Sequence, residues 1–166
     1  MENWGDLIDY IKKLPYGRNQ NREDFSLVLK ENKGTCSSKH SFLKKIADLN
    51  NFENVKLILG IYRMNHLNTS KIGSIISENG LDYIPEAHCY LKLNRRRIEI
   101  TNSNADIGNL IEDIIDEIEI EPEQVLTFKI DYHKRFLQRW IIENEINLDF
   151  EKIWGIREQC IKWLEQ

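Results

Sequence analysis

The chain has 166 residues, 41% of them hydrophobic and 30% charged, with 8 Gly and 3 Pro; this excludes low-complexity disorder and supplies enough apolar side chain for one buried core. Its 23 Lys+Arg against 27 Asp+Glu give a formal net charge of -4, which argues against nucleic acid as a partner. The 3 cysteines, Cys36, Cys89 and Cys160, form no CxxC pair, so neither a disulfide framework nor a four-cysteine zinc site is expected.

No apolar run reaches the ~18 residues that span a membrane, and the stretch from Met1 to Leu14 mixes acids and lysines into its apolar positions. No signal peptide or membrane anchor is expected, and unpaired cysteines point to a reducing, cytoplasmic setting. A single domain over residues 1–166 is expected.

Leu7, Ile8, Ile11 and Leu14 keep helical spacing before Pro15 and Gly17. Residues 16–21 read as a polar turn, and the patch Phe25, Leu27, Val28, Leu29 fits helix or strand. From Cys36 to Leu49, Phe42, Leu43, Ile46 and Ala47 share a helical face, with Thr35 as N-cap and Gly34 freeing the entry angle. At 100° per residue Cys36 falls within about 20° of Leu43 and Ala47, so it faces whatever the helix packs on.

Val55 to Tyr62 reads as a buried strand, and Met64 to Asp82 as a long loop with a helical turn around Ile72, Ile75 and Ile76. Ile84 to Thr101 alternates as a β-hairpin. A two-residue turn at Asn94-Arg95 sets Leu91 opposite Ile98 and Cys89 opposite Ile100 on the apolar side, with Tyr90 opposite Glu99 and His88 opposite Thr101 on the other. Ile111, Ile114, Ile115 and Ile118 fit an amphipathic helix with an acidic face. Val125 to Ile130 reads as a strand, followed by two helices, one through Phe136, Leu137, Trp140 and Ile141 and one after Asp149. Cys160, among Ile153, Trp154, Ile161 and Leu164, reads as core.

A thiol nucleophile needs a low pKa, a base, a group to orient that base, and donors for the developing oxyanion. Cys36 opens a helix, where the dipole and free N–H groups lower a thiol pKa and where its own N–H is a candidate oxyanion donor. His88 is the candidate base, and Glu99, on the same hairpin face, the candidate orienter. Asn19, Gln20 and Asn21 precede the nucleophile as candidates for a second oxyanion donor, although a solvated turn accounts for them better. A metal site would recruit Cys36, His40, His88 and Cys89, but adjacent residues on a strand point to opposite faces. No metal or cofactor is expected. His66 and His133 read as solvent-facing or locally hydrogen-bonded, and Lys92, Arg95, Arg96 and Arg97 as a solvated basic hairpin tip.

The order of Gly34-Thr35-Cys36 at a helix start, an apolar helix, the strand VKLILGIY, and Ala87-His88-Cys89-Tyr90 leading across a hairpin to Arg97-Ile98-Glu99-Ile100-Thr101 resembles the core of the transglutaminase-like superfamily over roughly residues 25–101. The resemblance implies an α+β, papain-like fold in which the Cys-bearing helix packs on an antiparallel sheet, with 102–166 as a helical extension containing one strand. It also implies thioacyl chemistry at Cys36, with His88 as base and Glu99 as orienting acid, on an amide or peptide bond; members include cross-linkers, peptidases and amide hydrolases. The family usually has Asp where this chain has Glu99, and many members have Trp where it has Tyr90. The expectation is a cysteine-dependent amide or peptide hydrolase or acyltransferase, acting on a peptide or amide substrate without nucleic acid or membrane. The competing expectation is a noncatalytic module of the same fold that holds a protein partner with its long loop and terminal helices.

Overall fold

In the computed structural model, which describes residues 3–165, β1 (Val55–Met64), β2 (Ile84–Leu93), β3 (Arg96–Ile98) and β4 (Ile114–Ile120) form an antiparallel sheet in the order β3-β2-β1-β4. Around it lie α1 (Trp4–Lys13), α2 (Leu27–Lys30), α3 (Cys36–Leu49), α4 (Ile75–Glu78), α5 (Thr127–Glu143) and α6 (Phe150–Leu164). The class is α+β. No helix among the described residues is long and apolar enough to cross a membrane.

The inner strand β1 is apolar on both faces, with only Lys56 and Arg63 exposed along it, because helices cover both sides of the sheet. Leu57, Leu59, Ala87, Cys89 and Leu91 meet Phe42, Leu43 and Ala47 of α3 in one cluster. Tyr62, Met64 and Ile84 meet Leu137 and Trp140 of α5 and Ile153, Ile156 and Cys160 of α6 in another. Cys160 is therefore core, as its apolar neighbours in the sequence imply.

The hairpin turn falls where expected. Asn94 and Arg95 have φ of 48° and 74°, the two left-handed residues of a primed turn that matches strand twist, and Leu91 pairs with Ile98. Pairing ends at Ile98, however, so the expected partnerships of Cys89 with Ile100 and His88 with Thr101 do not form. The first turn of α3 occupies that gap and takes a hydrogen bond of the departing strand: Ile100 N–H donates to His40 Nε2 at 3.2 Å.

Two expectations are corrected. Ile111 to Ile118 is not a helix but a 3₁₀ turn (Ile111–Asp113) leading into β4. Ile118 and Ile120 alternate inward opposite Leu59 and Leu57, and a bulge at Ile61/Tyr62 leaves Ile115 as the extra residue, which let a period-two segment imitate a helical one. Val125 to Ile130 is not a strand: a 3₁₀ turn (Pro122–Val125) with a Glu121/Gln124 capping box feeds directly into α5. The strand of the C-terminal region is thus β4, which pairs with the free edge of β1.

The start of α3 is fixed from several sides. Thr35 Oγ1 accepts from Ser38 N–H at 3.3 Å and Ser38 Oγ accepts from Thr35 N–H at 2.9 Å, a reciprocal cap. Buried Lys39 donates to Leu14 O at 2.5 Å and Thr101 O at 2.8 Å, tying the helix to the segments on either side. A Cβ on Gly34 would lie 2.9 Å from both Lys39 Cγ and Ser38 Oγ. Glycine is needed here for close approach, rather than for the entry angle.

Candidate active site

Cys36, His88 and Glu99 converge at the rim where β3 leaves β2. His88 stands on the sheet face opposite Cys89, whose side chain points back to Ser37 of α3, with Sγ 3.7 Å from Ser37 Oγ. His88 Nε2 donates to Glu99 Oε2 in a short hydrogen bond, and the imidazole lies beside the Cys36 thiol at the same cleft, close enough for each to shift the other's pKa. With Nε2 held by Glu99, Nδ1 is the nitrogen left for sulfur. The other Glu99 oxygen accepts from Thr101 N–H at 2.8 Å and from the Thr101 hydroxyl. The extra methylene of Glu over Asp therefore carries the carboxylate out to His88 while its own loop steadies it.

Electrostatics follow from these contacts. Burial pushes the Cys36 thiol up, but the charges of Lys129 and then His88, with hydrogen bonds from His88 and Cys89 N–H, bring it down to about 6. Burial lowers His88, yet the negative charges of Glu99 and Cys36 overcome it and hold the imidazole well above its ordinary value. Burial raises Glu99, and His88, His40 and Thr101 more than reverse that, far below the usual carboxylate range. Near neutrality the group is a thiolate, an imidazolium and a carboxylate. Burial raises both Cys89 and Cys160, the latter to about 11, so those two remain thiols.

Two residues of the site were not assigned their part beside Cys36 from the sequence. Lys129, in the first turn of α5, is 8% exposed and places Nζ 3.8 Å from Cys36 Sγ and 2.8 Å from Ser37 Oγ. Only the topology brings it here, because its segment reads as a strand. His40, considered only as a metal ligand, is fully buried; its Nδ1–H donates to Cys36 O at 2.7 Å while Nε2 accepts from Ile100 N–H. Burial brings it down to about 4, so it stays neutral and pins the helix start to the strand leaving β3. Its i, i+4 relation to Cys36 was the available signal.

The aromatic residue two positions after His88 also has a structural part. Tyr90 stacks on His88 with ring centroids 6.2 Å apart, and Tyr62 meets His88 edge-on at 6.0 Å. Asn19 is not a free amide: its Nδ2 donates to Leu27 O, Glu31 Oε2 and Lys33 O, and residues 19–21 serve the turn before α2. His66 is exposed, whereas His133 is buried and donates from Nε2 to Pro85 O at 2.8 Å. The basic tip is only partly solvated, since Lys92 and Arg97 both pair with Glu117 at 2.9 Å.

Cys36, His88 and Glu99 open onto a cleft of about 620 Å³, a volume typical of small-ligand sites. Its walls come from the loop after β1, the segment after Glu99 and the end of α6, including Thr69, Asn102 and Leu164. Compared with family models, with curated proteins and with solved structures, the chain gives no match.

Proposed function

We propose that the chain is a transglutaminase-like, papain-like cysteine enzyme that opens an amide or peptide bond through a thioacyl intermediate on Cys36. The observation that carries this reading is that Cys36, His88 and Glu99 line one cleft, with His88 hydrogen-bonded to buried Glu99. The thiolate attacks the acyl carbon, His88 passes its proton to the departing amine, and the same imidazole then activates the water or amine that takes up the acyl group. Glu99 fixes the imidazole's orientation and stabilises its cationic form. Hydrolysis is favoured over cross-linking because no second site for an acceptor amine marks the sequence. Free thiols at Cys36, Cys89 and Cys160 support a reducing, cytoplasmic setting. The module reading draws no comparable support, since Cys36 opens to the cleft instead of being blocked.

The test is to present the protein with a library of acyl-p-nitroanilides and follow p-nitroaniline release alongside intact mass. A Cys36-linked acyl adduct that is lost in Cys36→Ser and fails to form in His88→Ala supports the reading. Equal release by Cys36→Ser removes it.

A further inference from the structure

A thiolate adding to a carbonyl turns the carbonyl oxygen into an oxyanion, which forms readily only if donors already point at it. The Cys36 N–H, at the start of α3, supplies one donor. The amide of Asn19, the nearest upstream side chain of suitable type, is already spent on Leu27, Glu31 and Lys33. Tyr16 is placed better. Its backbone forms a parallel bridge with Gly34, two residues before Cys36, through Gly34 N–H to Pro15 O at 3.1 Å and Gly17 N–H to Gly34 O at 3.3 Å. Its half-buried ring lines the same cleft as Cys36 and His88.

We propose that the Tyr16 hydroxyl is the second oxyanion donor of this site, acting with the Cys36 N–H on the substrate carbonyl oxygen; this rests on the acyl-transfer reading of Cys36. Two tyrosines line the cleft, and Tyr62 has its hydroxyl engaged with Thr69 Oγ1 at 3.3 Å. The Tyr16 hydroxyl makes no hydrogen bond within the described residues. Burial, and then the negative charges of Cys36 and Glu86, hold the Tyr16 phenol well above its ordinary value. It therefore presents a proton throughout the range in which Cys36 is a thiolate. In the step itself the sulfur lone pair forms the S–C bond and the carbonyl π pair moves onto oxygen, where both donors hydrogen-bond it without losing their protons. Collapse restores the C=O bond and expels the leaving group, and water later releases the carboxylic acid.

Two reagents separate this role from a general effect on the thiol. p-Nitrophenyl acetate acylates through a developing oxyanion, whereas iodoacetamide alkylates sulfur without one. In Tyr16→Phe, Cys36-dependent p-nitrophenolate release is expected to fall about tenfold or more, while the Cys36 alkylation rate stays within about twofold of the parent chain. Release that is unchanged, or that falls in step with alkylation, overturns the Tyr16 role. If the parent chain releases no p-nitrophenolate beyond Cys36→Ser, the acyl-transfer reading itself fails, and the donor role fails with it.

Discussion

Lys129 and Cys36 form a buried pair, Nζ to Sγ 3.8 Å, across 93 residues of sequence. Lys129 reaches the sulfur from the core, beside Ser37, whereas His88 reaches it from the cleft. In the proposed acyl transfer the thiolate thus has one counter-ion that stays in place and one that is free to give up its proton to a leaving group. In a simple Cys–His pair the imidazolium both stabilises the nucleophile and serves as the acid, so spending the proton weakens the thiolate. Here the two tasks fall to different residues.

That division predicts the pH dependence of alkylation. Iodoacetamide should modify Cys36 with a midpoint near pH 6, where the thiolate forms, leaving Cys89 and Cys160 unmodified. Lys129→Met removes the strongest single influence lowering the thiol, and His88→Ala removes the next; each should move the midpoint up. His88→Ala should keep measurable alkylation near neutral pH while losing acyl turnover. Peptide mapping of alkylated Cys36 across pH 5–9 (about the span between a lowered and an ordinary thiol) reads both; a midpoint in Lys129→Met that matches the parent chain would exclude the lysine as counter-ion.

Glu99 should tolerate neither conservative change. Glu99→Gln keeps a hydrogen-bonding group beside His88 but removes the charge that raises the imidazole, so the His88 pKa should fall and turnover should drop about tenfold or more. Glu99→Asp withdraws the carboxylate by about one C–C bond, ~1.5 Å, breaking either the His88 contact or the Thr101 contact. Turnover should fall again, although the charge is kept. NMR titration of the His88 imidazole with steady-state kinetics separates the two variants, and full activity in Glu99→Asp would mean that reach is not what selects Glu here.

The site was legible in sequence to the extent that it is built from local rules. Thr35 as cap, Cys36 as first helical residue and the turn at Asn94-Arg95 each follow from short-range preferences, and they place Cys36, His88 and Glu99 in order along the chain. What could not be read depends on where elements meet. Lys129 lies in a segment whose Val, Leu, Phe and Ile suit a strand equally well, and its helical state is set by the Glu121/Gln124 cap and packing on the sheet. The isoleucines of β4 satisfy helical spacing only because a bulge adds Ile115 to an alternating strand. The end of pairing at Ile98 is likewise a tertiary matter, imposed by the first turn of α3.

Gly60, cross-strand from His88, should be sensitive although it touches no reacting atom. A Cβ there would lie 3.0 Å from Tyr90 Cε1 and 3.4 Å from its hydroxyl, and the ring it displaces is stacked on His88 and hydrogen-bonded to Glu117. Gly60→Ala should cost about 1–3 kcal/mol by overpacking and lower kcat more than it raises KM. Adding Tyr90→Phe, which removes the hydroxyl at 3.4 Å but keeps the closer Cε1, should recover little of the stability. Urea unfolding of the single and double variants provides the check, and a stable, fully active Gly60→Ala would show that the slot for Tyr90 is not needed.

The attachment of α6 to the sheet should contribute, together with buried Glu99, to the acid limit of the fold. Glu86 of β2 accepts both Arg157 Nε at 2.8 Å and Arg157 Nη2 at 2.6 Å, a forked pair only 13% and 7% exposed at its side chains. Burial raises the Glu86 carboxyl, but Arg157 and then His133 bring it down to about 2. An unfolded glutamate titrates near ~4.3, so the depressed folded value contributes stability that is fully present above that pH. The contribution, about 3 kcal/mol, is lost as pH falls from there to about 2. Glu86→Gln leaves Arg157 with the less buried Glu158 as its remaining carboxylate partner, 2.6 Å from Nη1, and at pH 7 it should cost on the order of 3 kcal/mol. It should also flatten the decline in stability between about pH 4.3 and pH 2. Urea midpoints for both chains over that range test the two effects together: an unchanged midpoint at pH 7 would show that apolar packing of α6, rather than the Glu86–Arg157 pair, holds this wall of the cleft.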